Sequence, residues 1–239
     1  MIGHRLLWLV AGHQQPATKF EPSTYTVPMR IEPLGDLAVI LRDLDASPAA
    51  TARAIVKANL AEITDIVPCA ETVGVYFRKP VSTADIEAAC ACAESMDYLP
   101  RELRVPICYE LGEDLERVAG ELGLTPQRLI GLHTSARYTC FAIGFCPGFA
   151  YLGPLTEALK GVPRMASPRT RTAPGSLGMT GDQTAVYPLP RPGGWPIIGI
   201  TPMVLVDEAD DYFPIEVGDV VQFESIDAAE FTRLKGRRL

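Results

Sequence analysis

Three arginines fall within eight residues in Pro163-Arg164 and Pro168-Arg169-Thr170-Arg171, with Pro174-Gly175-Ser176 close behind. A guanidinium can grip a carboxylate or phosphate through two parallel hydrogen bonds, and Gly/Pro loops can aim backbone N–H groups at the same anion. Arg164 and Arg169 are therefore the leading candidates for contact with a reacting anion, and Arg171 is a further binding candidate. His133, at the end of an expected helix, offers a hydrogen-bond donor or an acid/base. Its alternative is a structural histidine held by the negative end of the helix dipole. Gln183 has the donor and acceptor needed to read an amide or lactam. Tyr151, Tyr187 and Trp195 either line a pocket or belong to the core. Gly148, Gly175, Gly193 and Gly194 are read as shaping the loop backbone. Cys146 sits in a turn with no base beside it in sequence, which argues against a nucleophile.

These residues lie in a segment of unusual composition. Residues 144–202 hold 10 of the 20 glycines and 10 of the 21 prolines. They carry five basic against two acidic side chains, so this segment is at +3 and the other 180 residues are at −10 within a total of −7. Two readings stay open. Barrel corners need glycine and proline, with arginines at the rim for solubility; alternatively, rigid loops converge on an anion.

The elements that must position them read as two domains. From Met29 to about Pro100, strands at Leu37–Leu41 and Thr72–Phe77 alternate with helices opened by Ser47-Pro48 and by Ser82. That pattern predicts a small α/β sandwich. Beyond it come a strand at Leu103–Tyr109, a short helix ending at Gly123 and a second helix opened by Thr125-Pro126. Short strands follow at Cys140–Ile143, Thr184–Tyr187, Ile197–Ile200, Met203–Val206 and Val220–Phe223, which suggest a β-barrel or sandwich. The expected organisation is α+β: a loose extension over 1–28 with Met29 a candidate start, a small domain over 29–100, and a barrel domain over 103–239.

Composition narrows the function classes. A chain of 239 residues, 47% apolar and 21% charged, has an ordinary soluble mix. A net charge of −7 argues against a dedicated nucleic-acid binder, and no apolar run reaches membrane-span length. Leu6–Val10 is too short for a signal peptide core, and His13-Gln14-Gln15-Pro16 stands where small cleavage-site residues belong. The six cysteines form no C-x-x-C and have few histidines near them, so they read as buried free thiols of a cytoplasmic protein rather than metal ligands. Neither G-x-S-x-G nor G-x-x-x-x-G-K-[ST] occurs, so no nucleophile elbow or phosphate-binding loop is expected.

The runs IGFCPGFAYLG (143–153), PRMASPRTRTAPGS (163–176), GDQTAVYPLPRPGGWPIIGITP (181–202) and LHTSARY (132–138) resemble the allophanate hydrolase subunit 1 / KipI family. That family includes the B-type subunit of bacterial 5-oxoprolinase. The resemblance covers about Met29 to Phe223. It implies a cyclophilin-like barrel after the small domain, a partner of the allophanate hydrolase subunit 2 type (the C-type subunit of 5-oxoprolinase), and a third, LamB/YcsF-type subunit. It also implies ATP-dependent opening of 5-oxoproline to glutamate, with ATP bound by or shared with the partners and His133 facing the barrel. Alternatives within the family are an allophanate hydrolase or urea carboxylase subunit, and a KipI-like inhibitor of a sensor histidine kinase. The sequence departs from the family pattern at Ile200, where an arginine is usual, and at Thr172-Ala173-Pro174-Gly175-Ser176, where the proline stands one place late.

Overall fold

The computed structural model describes residues 28–92 and 99–239. The expected extension over 1–28, apart from Pro28, lies outside the described residues. The chain divides into two compact units at Tyr98/Leu99.

The first unit contains β1 (Arg30–Pro33), β2 (Ala38–Arg42), α1 (Pro48–Ala58), β3 (Ile63–Cys69), β4 (Thr72–Phe77) and α2 (Thr83–Ala91). Its strands run in the order β1-β2-β4-β3, every neighbour antiparallel. Leu41 pairs with Val73 and Val39 with Val75, so the alternate residues between them share one face. Against that face α1 buries Ala52 and Ile55, and α2 buries Ile86 and Ala89. Both helix starts follow the sequence signals. Ser47 Oγ accepts from Ala50 N–H at 3.2 Å with Pro48 in the first turn, and Ser82 Oγ accepts from Ala84 N–H at 3.2 Å.

The second unit contains β5 (Glu102–Ile107), α3 (Leu115–Glu121), α4 (Pro126–Ser135), β6 (Tyr138–Ile143), β7 (Ala150–Gly153), β8 (Arg169–Thr172), β9 (Ser176–Thr180), β10 (Gln183–Val186), β11 (Arg191–Gly193), β12 (Ile197–Ile200), β13 (Val220–Ser225) and α5 (Ala228–Leu234). Seven strands follow the path β5-β13-β6-β7-β10-β9-β12. Only β5 and β13 pair in parallel. Cys108, immediately after β5, exchanges two backbone hydrogen bonds with Ile200 at the end of β12 (2.8 and 3.1 Å), which closes the path into a ring. Its interior holds Val105, Ile107, Leu152, Leu177, Met179, Ile198, Val221 and Phe223, with α3 and α4 adding Val118 and Leu129. β8 and β11 form a separate two-stranded ribbon.

Several expectations need correction. Met203–Val206 is not a strand; it holds the chain end through one parallel bridge, Val204 to Arg238. The Gly/Pro-rich stretch carries β7, β8, β9 and β11 in addition to the two strands expected there, which are β10 and β12. The thiols of Cys108, Cys140 and Cys146 are buried as expected, but Cys69 and Cys92 are exposed, at a strand end and a helix end respectively.

Candidate anion site

Alternation along β10 decides what can meet what. Thr184 and Val186 point into the main core, while Ala185 and the following Tyr187 join a second cluster on the other side of the sheet. That second cluster contains Cys146, Phe149, Ala185, Tyr187, Trp195 and Ile197, with Phe145 and Tyr151 packed against it. Phe149 is its hub. Its ring lies 4.9 Å from Tyr151, 5.2 Å from Tyr187 and 5.7 Å from Trp195, all edge-on. Such T-shaped pairs satisfy the ring quadrupoles and add ~1 kcal/mol each beyond the area they bury. The three aromatics singled out in the sequence are thus assembled together, with Tyr187 and Trp195 buried and Tyr151 half-buried.

His133 lies on the other side of that sheet. Its Nδ1 is 2.8 Å from Tyr109 Oη and its Nε2 is 3.2 Å from Thr184 Oγ1, and its ring stacks on Phe223 at 4.8 Å. It is fully buried, and burial pulls its pKa down to about 3. Both ring nitrogens are therefore engaged inside the ring of strands, and the imidazole stays neutral. The three candidates for catalysis, His133, Arg164 and Arg169, are not brought together: His133 lies on the core side of the sheet, and Arg169 on the side of Trp195.

Arg169 also needs correction. Its guanidinium Nη2 meets Asp114 Oδ2 at 2.6 Å and Glu113 at 3.2 Å, and Nη1 approaches Trp195 O at 3.5 Å. The Arg169 side chain is 20% exposed and that of Asp114 10%. Asp114 Oδ2 also accepts from Ile197 N–H at 2.7 Å, so one carboxylate joins the start of α3 to β8 and β12. Burial pushes the Asp114 carboxyl up, but the Ile197 N–H, Arg169 and Arg117 together outweigh it and hold it below the usual carboxylate range. Arg169 is a strut whose charge is already answered. Asp114 was missed from sequence, although an aspartate directly before an apolar helical run is a known helix-start signal.

The available cations are elsewhere. Arg164 and Arg171 are exposed and pair with no carboxylate among the described residues. Arg191, also exposed, reaches the Cys146 thiol, where it offsets part of the rise caused by burial. The Tyr187 phenol is likewise raised by burial, against the opposing Trp195 N–H and the charges of Arg164 and Arg169. It stays protonated at neutral pH and can donate a hydrogen bond. Arg169 and Arg191 therefore reach one aromatic cluster, and the charge of Arg164 acts on its Tyr187. The loop of Arg164 is tied there by Met165 N–H donating to Gly194 O at 2.8 Å.

Gln183 opens β10, four residues before Tyr187, which places it roughly 13 Å away along the strand. It shares a face with Tyr187 but is not brought to the arginines. Among the glycines, a Cβ on Gly193 would come within 2.5 Å of Tyr187 Oη, and Gly175 has φ +85° with Thr201 O at 2.5 Å from its Cβ position. Gly148 meets Val206 at 2.1 Å. Gly194 differs: its Cβ would meet Pro168 at an ordinary 3.5 Å, so nothing there requires glycine. At the departure from the family pattern, Ile200 provides ring closure through its backbone and no cation. Among the described residues, no group of three or more His, Cys, Asp or Glu side chains could hold a metal ion.

The model of the carboxyltransferase domain, subdomain C and D, matches residues 29–214. The chain belongs to this family. It is 31% identical to the B-type subunit of 5-oxoprolinase from Bacillus subtilis (strain 168) over 236 residues, covering 88% of this chain and 98% of that protein. With the B-type subunit of 5-oxoprolinase from Escherichia coli O157:H7 it shares 36% identity over 173 residues, 69% of this chain and 79% of that one. Among solved structures, the crystal structure of TTHA0988 aligns at TM-score 0.70 and 29% identity over 80% of this chain. The alignment spans 40% of that longer protein. The urea carboxylase of Kluyveromyces lactis aligns at TM-score 0.61 and 15% identity over 86% of this chain and 22% of its own length, a likeness of fold. The mixed helix and mostly antiparallel sheet architecture is thus shared with carboxyltransferase-type proteins. No described helix is long and apolar enough to cross a membrane.

Proposed function

We propose that this chain is the B-type subunit of an ATP-dependent 5-oxoprolinase, which opens the lactam of 5-oxoproline to glutamate. The observation that carries the reading is the near end-to-end match to the Bacillus subtilis protein, 98% of whose length is covered. The chemistry of the site supports it. The substrate is a carboxylate, and amide opening develops negative charge on the carbonyl oxygen. Arg164, Arg171 and Arg191 offer cations that no carboxylate neutralises among the described residues, and Tyr187 offers a phenol donor. Trp195 and Tyr151 supply apolar wall beside them. In this reading a small α/β domain precedes a cyclophilin-like barrel, and the chain works in the cytoplasm with a C-type barrel partner and a LamB/YcsF-type subunit. ATP is held by, or shared with, those partners, since this chain has no phosphate-binding loop.

Reconstitution tests the reading. The three subunits together release glutamate from 5-oxoproline only with ATP, and omission of this chain abolishes release; Arg164→Ala and Arg191→Ala each lower kcat/KM at least tenfold. Full release without this chain would refute the assignment. Urea-derived amide chemistry is a second reading, favoured by the carboxyltransferase family description. Turnover of allophanate or urea in place of 5-oxoproline would establish it instead.

A further inference from the structure

Phe145 is the bulky residue at positive φ (+67°) among the described residues; the other non-glycine cases are aspartate, asparagine and alanine. Asp and Asn tolerate that region through local hydrogen bonding, whereas a phenylalanine there is a genuine outlier. The conformation is imposed by a tight turn in which Cys146 N–H donates to Gly144 O at 2.7 Å, and the turn is closed by Phe149 N–H donating to Cys146 O at 3.1 Å. Glycines flank it at 144 and 148, so a backbone relieved of strain was one substitution away. What the strained turn achieves is the placement of a ring. Phe145 stands edge-on to Phe149 at 5.2 Å and to Tyr187 at 6.2 Å, yet it is only half-buried, while Phe149, Tyr187 and Trp195 beneath it are almost fully covered. Cys146, its neighbour in the chain, is the residue that Arg191 reaches, and Tyr187 is the one on which the charges of Arg164 and Arg169 act. A partly exposed aromatic face is therefore held at the boundary between the covered cluster and the uncompensated cations.

We propose that Phe145 is a specificity-determining residue: its exposed ring is the wall against which the flat face of a small cyclic carboxylate lies, while the exposed arginines around the same cluster hold the carboxylate. The inference rests on the functional reading above and adds the feature that selects ring over open chain. A linear dicarboxylate satisfies the arginines equally but leaves the ring of Phe145 uncovered.

The test uses the full chain and the reconstituted three-subunit complex, as wild type, Phe145→Gly and Phe145→Tyr. Phe145→Gly removes the ring and relieves the backbone, so thermal melting reports whether the fold is kept. KM for 5-oxoproline rises tenfold or more in Phe145→Gly with kcat within threefold, and Phe145→Tyr stays within threefold of wild type on both. Calorimetric titration of the full chain with 5-oxoproline and with glutarate gives a second readout: Phe145→Gly weakens the cyclic ligand tenfold and leaves glutarate within twofold. A KM and an affinity for 5-oxoproline both within twofold of wild type in Phe145→Gly overturn the inference. Binding of 5-oxoproline that depends on Phe145, with no ATP-dependent turnover by the complex, refutes the proposed function and leaves the inference standing. Absence of both binding and turnover in wild type refutes the two together.

Discussion

His133 gives the sharpest test of the core description. In the folded chain its pKa is drawn to about 3 by complete burial, against 6.5 for an ordinary histidine. A base with a depressed folded-state pKa favours the unfolded chain once protons become available. Stability is therefore complete above about pH 6.5 and declines as pH falls from there towards about 3, because the unfolded chain takes up a proton that the native core refuses. The slope is ~1.4 kcal/mol per pH unit, so acidification from pH 7.5 to 4.5 costs about 3 kcal/mol from this residue alone. His133→Gln keeps a polar group between Tyr109 Oη and Thr184 Oγ1 but does not titrate. It is expected to be less stable than wild type at pH 7.5 by about 1–2 kcal/mol. Its pH dependence should be shallower by close to one proton over the same interval. Urea unfolding followed by Trp195 fluorescence in a Trp8→Phe background measures both quantities, since Trp8 and Trp195 are the chain's two tryptophans. Parallel stability–pH curves for the two proteins would refute a buried neutral histidine, and with it the separation of His133 from the arginine cluster.

Removal of the Asp114 carboxylate leaves the Arg169 guanidinium and the Ile197 N–H without their shared acceptor, so Asp114→Ala should lose about 3 kcal/mol in urea unfolding. A loss below 1 kcal/mol would mean that the clasp is ornamental. Gly175→Ala forces both a left-handed alanine and a contact with Thr201 O, whereas Gly123→Ala, at φ +67° with open space around it, meets only the first penalty. The first is expected to cost about 3 kcal/mol and the second about 1 kcal/mol, and equal losses would argue against close approach at Gly175. In native buffer a chromogenic disulfide should label the exposed Cys92 and Cys69, with Cys69 the slower because burial raises its thiol, while Cys108, Cys140 and Cys146 wait for denaturant. Cys90, half-buried and pushed up to about 11 by burial and by Glu87, should lag behind the exposed pair.

How much of this was legible in the sequence depended on whether the determinant was local. Helix starts were, because Ser47-Pro48 and Thr125-Pro126 act within one turn: Thr125 Oγ1 accepts from Arg128 N–H at 3.2 Å as the cap pattern requires. The strand Thr72–Phe77 was legible too, but its hairpin partner β3 was not. The β3–β4 connection is Ala70-Glu71, with Ala70 at φ +52°, and carries none of the Gly or Asn residues that mark a tight hairpin. β8 and β11 were hidden for the opposite reason, since Pro168 and Pro174 on either side of β8 and Pro192-Gly193 within β11 read as loop, while the ribbon pairs across a bulge between Arg191 and Gly193. Within the site, the aromatics and loop glycines could be named from their motifs. Which side of the sheet each occupied could not, because that depends on how the local β9–β10 hairpin seats against β7, where Thr184 meets Leu152 from a distant part of the chain.

Ion-pair partners redistribute the positive charge of the Gly/Pro-rich segment. A surplus of three positive charges over residues 144–202 suggested that the arginines act as a group. In the folded chain Arg169, whose position in the motif made it prominent, is neutralised by Asp114 and Glu113, two acids from outside the segment, and Lys160 pairs with Glu157 at 2.9 Å. Positive character then resides in Arg164, Arg171 and Arg191. Exposed guanidinium groups of this kind gain little from folding, since exposed ion pairs contribute only ~0–1 kcal/mol and these make none among the described residues. The presence of Arg164 and Arg191 beside a buried aromatic cluster is thus not explained by stability. The strut at Arg169 is what makes them useful: it fixes β8 to α3 and β12, so the chain from Arg164 to Arg171 is held at both ends, at Met165 by Gly194 and at Arg169 by Asp114. Removal of the strut charge by Arg169→Gln should therefore lower stability and also raise KM for the anion, whereas Arg164→Gln should raise KM at unchanged stability. Equal effects of the two substitutions on melting temperature would show that the division between strut and contact is mistaken.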